Sequence, residues 1–397
     1  MLPVITNLTE QVDRRWAESG YDPEEFSSLA AQSLEQITPP DFTTLARALS
    51  GGLPLPRQRR LDQSFGQPAL TLHYDDRFVI EALCWHTGSP AIHQHSFSGA
   101  FRVTTGRSVH SRYRFTEQYR LADTIAVGTL ELLEVDVLDQ TSVTRIQRGA
   151  ALIHSAFHLD NPSMTVIVRT HDYDEPEYTY LPPSIAFDPS ARNETLHKRL
   201  QLLDTLNSVG HPTYSECVEL ALGSSDIYEG MEVLMRVHRH GLEESVLQEF
   251  VAQYVKRHGS RVEPLIHAVE EQRRRSQLVS LRGSMRDSDG RYFLACLLNS
   301  FDGLSFVRQM ATHNASDPKA HIAVAAGLRS LLGMGPEAEP LLRLASTALL
   351  GGVASEKFPT WLASTTSEHV DAENAELLEQ FYRQLSTHPL LTPMLGP

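Results

Sequence analysis

Cysteine is scarce in this chain: Cys84, Cys217 and Cys296 are its only three among 397 residues. An odd, widely spread set excludes a disulfide framework and fits reduced thiols in a cytoplasmic setting. Positive charge is also in deficit, with 35 basic against 49 acidic residues and a formal charge of −14. Such a balance repels phosphate backbones and anionic lipid surfaces at long range, so neither nucleic acid nor a membrane is expected as a partner. Long apolar runs are missing too. The most apolar late stretch, residues 341–354, is interrupted by Arg343 and is too short to span a bilayer. Residues 1–16 lack the basic-then-apolar order of a secretory signal.

What is present reads as three regions of a globular protein, 41% apolar and 21% charged. Residues 1–52 show apolar positions at helical spacing, with helix starts at Asp22-Pro23-Glu24-Glu25 and Pro40-Asp41. Gly51-Gly52-Leu53-Pro54-Leu55-Pro56, followed by Arg57, Arg59 and Arg60, has linker composition. Residues 66–188 change to short runs of Val, Ile, Thr, Phe and Tyr between turn signals such as Asp75-Asp76, Thr105-Gly106 and Asp160-Asn161-Pro162. That spacing suits a small antiparallel barrel. Residues 189–397 return to helical periodicity, at 191–206, 242–257, 262–277 and 373–385 among others. The expected fold class is therefore α+β: a helical segment, a central antiparallel β-barrel and a large all-α region offering a homodimer or partner-protein contact. His238, His240 and His258 precede helix-ending glycines and read as C-terminal caps rather than ligands.

The chemistry concentrates in two stretches of the strand-rich region. In residues 83–106, His93 and His95 stand two apart on a strand, so both imidazoles point to one face and can share an ion. In residues 149–161, His154 and His158 have the same strand parity and precede Asn161. Trp85, Gly88, Pro90, Gly99 and Gly106 around the first pair give an order that resembles the first motif of the cupin superfamily. The second stretch is similar to the second cupin motif. Gly99 occupies the position of the motif glutamate, as in the three-histidine thiol dioxygenase (cysteine dioxygenase-like) branch, while Gln94 stands where that branch usually has aspartate.

The resemblance implies a cupin barrel holding a mononuclear non-haem Fe(II) on His93, His95 and His158, with Zn, Ni or Mn as alternative metals. His154 competes with His158 for the third position. Tyr113 and His154 are the catalytic candidates, Tyr113 because it lies on the apolar face of its strand with Val109, Ser111 and Phe115. Arg112 and Arg114, on the opposite parity with His110, are expected in solvent. Three neutral imidazoles leave coordination positions open for a small polar substrate and O2. The activity implied is that of an oxygenase or dioxygenase. A non-catalytic ligand-binding or regulatory barrel and a metal-dependent isomerase or lyase are the alternatives. The arginine by which thiol dioxygenases hold a substrate carboxylate has no counterpart in Thr71-Leu72-His73-Tyr74. Cys84 reads as a core thiol, and Asp172, Asp174, Glu175 and Glu177 as a solvated loop.

Overall fold

The computed structural model describes residues 2–58, 66–86, 91–285, 288–300, 303–314, 317–367 and 370–394. Gly88 and Pro90 of the first motif, and Arg59 and Arg60 of the linker, lie outside the described residues. The chain divides into two compact units, Met1–Arg273 and Arg274–Pro397.

The first unit opens with three helices, α1 (Pro3–Glu18), α2 (Phe26–Glu35) and α3 (Phe42–Ser50). Asp41 caps α3 by accepting a hydrogen bond from the Thr44 backbone N–H. Eleven strands follow: β1 (Ala69–Tyr74), β2 (Phe78–Trp85), β3 (Ile92–His95), β4 (Gly99–Thr105), β5 (Ser108–Ala122), β6 (Ile125–Leu138), β7 (Val143–Ile146), β8 (Gly149–His158), β9 (Ser163–Thr170), β10 (Thr179–Leu181) and β11 (Ile185–Phe187). They form a five-stranded sheet, ordered β1-β2-β9-β4-β7, and a closed circuit, β10-β11-β6-β5-β8-β3. Every recorded pairing is antiparallel.

Strand parity explains how these layers pack. Along β2 and β9, Phe78, Ile80, Ala82 and Cys84, with Met164, Val166 and Val168, join Ile5, Leu8, Val12, Trp16, Phe26 and Leu34 of the first two helices in one core. The alternate residues Leu83, Trp85 and Ile167 join Phe101, Val103, Leu138, Ile146 and Leu152 in a second core. Both faces of β2 and β9 are thus covered, which is why neither strand exposes a residue. The same alternation works on the other side. Ile125, Val127, Ile185 and Phe187 pack with helical residues such as Leu196, Val218, Leu234 and Phe250. Ala126 and Ala186 face the other way, into a cluster with Ile92, Tyr113, Leu130, Ile153 and Tyr180.

After the strands come α4 (Glu194–Ser208), α5 (Tyr214–Ser224), α6 (Ile227–Val237), α7 (Glu244–His258) and α8 (Glu263–Leu281), within which the unit boundary falls. Strand gives way to helix after Phe187, whereas the first compact unit runs on to Arg273 because α4–α7 and the start of α8 share a core with β6 and β11. His238 is the C-cap of α6, and His258 ends α7 before Gly259. His240 instead hydrogen-bonds Asp204 Oδ1 at 2.9 Å and Tyr214 Oη at 2.6 Å.

The second unit contains α9 (Ser288–Asn299), α10 (Gly303–Asn314), α11 (Asp317–Leu332), α12 (Glu339–Leu350), α13 (Phe358–Thr366) and α14 (Ala372–Ser386). Phe293, Phe306, Phe358 and Tyr382 are buried in it, the last two stacked at 4.1 Å. Among the described residues no helix is long and apolar enough to cross a membrane.

Candidate metal centre

Three short-range devices assemble the site. The first is on β3, where an irregularity in the β3–β8 register falls between His93 and His95. His93 pairs across from His154, and the His93 and His95 rings meet edge to face at 4.6 Å. Gln94, between them, anchors the strand. Its Nε2 donates to the Pro176 carbonyl at 2.9 Å, and its Oε1 accepts from Tyr180 Oη at 2.5 Å. The second is Glu177, which accepts from the Ser96 N–H at 3.0 Å and from Ser96 Oγ at 2.9 Å, just beyond His95. Glu177 is therefore a clamp rather than only a solvated loop residue. The third is the β5–β8 pairing, which sets Ser108 opposite His158 and Arg112 opposite His154.

Among the described residues, His93, His95 and His154 form one group able to hold an ion, with ligand atoms all within 4.8 Å of one another. His95 Nε2 and His154 Nε2 are 2.8 Å apart. His154 Nδ1 lies 2.8 Å from His110 Nε2, so both nitrogens of His154 are engaged. His93 Nδ1 faces the Ala91 carbonyl at 3.0 Å; a carbonyl only accepts, so the proton sits on Nδ1 and Nε2 carries the lone pair. Burial holds the pKa of His93 below the ordinary imidazole value, although the Ala91 hydrogen bond and Glu177 oppose it. His95 and His154 are held well below it, by burial first and by neighbouring imidazoles second; Arg169 adds to the effect on His95. Burial, with Arg112 and His93 adding to it, lowers His110 to about 4. All four rings are thus in the neutral form that ligates metals.

The donor set fits a transition-metal ion. Two nitrogens 2.8 Å apart have the spacing of adjacent ligands on one ion with bonds of about 2.1 Å. The widest separation, up to 4.8 Å, exceeds the span of two such bonds, so binding draws the rings inward. The ring nitrogens turned away from the group are held too, His93 Nδ1–H by the Ala91 carbonyl and His154 Nδ1 by His110 Nε2.

The sequence-based third ligand, His158, is not in the group; His154 is. His158 lines the same cavity but stacks on Trp85 at 4.6 Å and 19°, with Nδ1 at 2.8 Å from Ser108 Oγ. Both histidines share a parity, as expected, and the strand register decides between them. Tyr113 is not among the residues gathered at the cluster. Ser108 and His110, on one parity of β5, are the residues aimed at the histidines, and Tyr113 stands on the other parity. It packs against Ile92, Ile153 and Tyr180 and borders a separate trough of about 560 Å3. The larger trough is thus not where the histidine cluster lies. Arg112 and Arg114 are partly exposed and paired with Glu134 and Glu131, in keeping with their solvated reading. Burial pushes the Cys84 thiol up to about 11, as expected of a core cysteine.

The histidine cavity encloses about 60 Å3, and its lining is mostly carbon, from Leu83, Phe101, Leu138, Ile146 and Ile167 beside Trp85 and the histidines. Gly99 explains the missing carboxylate. A Cβ there would sit 2.3 Å from the Val168 carbonyl oxygen and 2.9 Å from Arg169 Cα, so β4 and β9 approach too closely for any side chain. The turn that follows β4 needs glycine for another reason, since Gly106 has a φ of +73°.

The strands thus close into an antiparallel circuit with histidines gathered in one cavity. No protein-family model matches the chain. No curated protein matches it either. Among solved structures, one titled "Structural and spectroscopic insights into the mechanism of oxalate oxidase" is 15% identical, covers 51% of this chain and 82% of that one, and has a TM-score of 0.22. That likeness is too slight to carry an inference about this chain's chemistry.

Proposed function

We propose that the chain is a cupin-type metalloenzyme, a mononuclear non-haem iron oxygenase that holds Fe(II) on His93, His95 and His154 and acts on a small molecule. The observation supporting this reading is the cluster of three buried, neutral imidazoles whose ligand atoms lie within 4.8 Å. Fe(II) with three protein ligands supplies redox chemistry and open positions at which a substrate and O2 can meet. With a metal on His154 Nε2, His110 Nε2 would accept the Nδ1 proton of His154 and hold the ring in that tautomer. The Ala91 carbonyl does the same for His93. Trp85, fixed by its Nε1–H bond to Thr165 Oγ1 at 3.1 Å, and the aliphatic lining keep bulk water from the reacting groups. His158, oriented by Ser108 and Trp85, is placed in the lining to hold or move a proton on a bound ligand.

Metal analysis of anaerobically purified protein tests the site. One transition-metal ion per chain is expected, and replacing His93 and His95 together by Ala should abolish it while far-UV circular dichroism is retained. Unchanged metal content in that variant overturns the site. Oxygen uptake by the Fe(II) form, absent from the Zn(II) form, is expected with a substrate. Equal anaerobic turnover with both metals would assign an isomerase or lyase instead.

A further inference from the structure

Resting on the metal reading above, we propose that this cavity selects a small monoanion with an apolar body, one anionic group directed to the ion and the rest packed against carbon. Three observations carry this. Three uncharged imidazoles leave the charge of a divalent ion uncompensated in a buried space, and the closeness of β4 to β9 at Gly99 denies it a carboxylate from that position. One negative charge must therefore come with the ligand for the site to approach balance.

A second anionic group held away from the ion has no cationic side chain to meet. Among the described residues no lysine or arginine lines the cavity. The two arginines whose fields reach the histidines are already committed. Arg169 binds Glu81 at 3.0 Å and Asp172 at 3.3 Å, and Arg112 is paired with Glu134. A dianion whose second group lies against the carbon lining would bury that charge without a partner, which is heavily penalised. The body of the ligand faces Leu83, Phe101, Leu138, Ile146 and Ile167, a surface that rewards methylene groups over hydroxyls. Outside the cluster, Ser108 Oγ is bonded to His158 Nδ1, and Thr165 Oγ1 to Trp85.

The test uses the full-length protein loaded with Co(II), whose visible ligand-field spectrum reports binding without turnover. Butyrate, succinate and butan-1-ol share a four-carbon chain and differ in charge. Butyrate is expected to bind about tenfold or more tightly than either of the others. Succinate binding as tightly as butyrate would overturn the proposal by revealing a second cationic contact. Butan-1-ol binding as tightly would overturn it by showing that charge is not recognised. Failure of Co(II) to bind, or Co(II) binding undiminished in His154→Ala, is a different result: it removes the metal reading itself, before any ligand is added.

Discussion

The two walls around the histidine cavity are built by different rules. The wall made by β2 and β9 pairs residue for residue from Phe78↔Thr170 to Trp85↔Ser163 without a register shift, and most of its apolar side chains divide by parity between two cores. The wall made by β3, β8 and β5 is interrupted by a register shift between His93 and His95, and it carries the metal-capable group. A regular ladder maximises packing but can present only every second residue to a cavity. A bulge gives up some pairing and re-aims one side chain. In this protein the regular ladder and the histidine group thereby fall on different strands.

The largest effect is expected on the regular wall. Phe78 is fully buried, touching Phe26 and His73 at 6.2 Å and 4.9 Å between ring centroids. Phe78→Ala should cost about 3–5 kcal/mol of unfolding free energy, read by denaturant titration, and leave metal affinity unchanged. A large loss of metal affinity in a variant that still folds would mean that the walls are not separable.

On the irregular wall the contrast lies within one strand. His154→Ala should weaken binding of the metal by more than about 100-fold, whereas His158→Ala should weaken it by less than about tenfold. Metal titration of both variants decides; the reverse order would restore the assignment made on sequence. A smaller effect is expected at His110, which holds His154 from the next strand. His110→Gln should lower metal affinity by about 10–100-fold. Affinity unchanged in that variant would show that its hydrogen bond does not orient the ligand.

This division also explains what could be read before the structure. Helices and the barrel region were legible because their signals are local: the Asp41 cap, the glycine after His258, the switch from helical to alternating periodicity. His93 and His95 were legible as a pair because two residues on one strand share a face. The third member of the group was not, since parity admits both His154 and His158, and only cross-strand register brings His154 beside His93. For Tyr113 the open point was which face of β5 lines the cavity: alternation separates it from Ser108 and His110, and it is the parity of the latter two that meets the histidines. Glu177 gave no signal at all, because its partner Ser96 is 81 residues away. What would have found His110 is its identity alone: a histidine between Val109 and Ser111, in a run that is buried throughout.

The smallest effect compares a histidine of the irregular wall with one that belongs to neither. His110 and His238 are both buried, and burial lowers each to about 4 against an ordinary value of 6.5. Arg112 and His93 add to the shift at His110. Arg273 adds to it at His238, where Glu244 opposes it. Between those two values the unfolded chain binds a proton that the folded chain does not. Stability therefore rises with pH across that window; the contribution is fully present above 6.5 and is lost as the pH falls toward 4. Each group should contribute a slope of up to about 1.4 kcal/mol per pH unit, measured by denaturant unfolding of metal-free protein at several pH values. His238→Gln should flatten the slope and leave metal content untouched, while His110→Gln should flatten it and weaken the metal site. A metal-free protein equally stable at both ends of the window would show that neither imidazole is held neutral by burial. A fall in metal content on replacing His238 would join the helical layer to the chemistry, and the two-wall division would no longer hold.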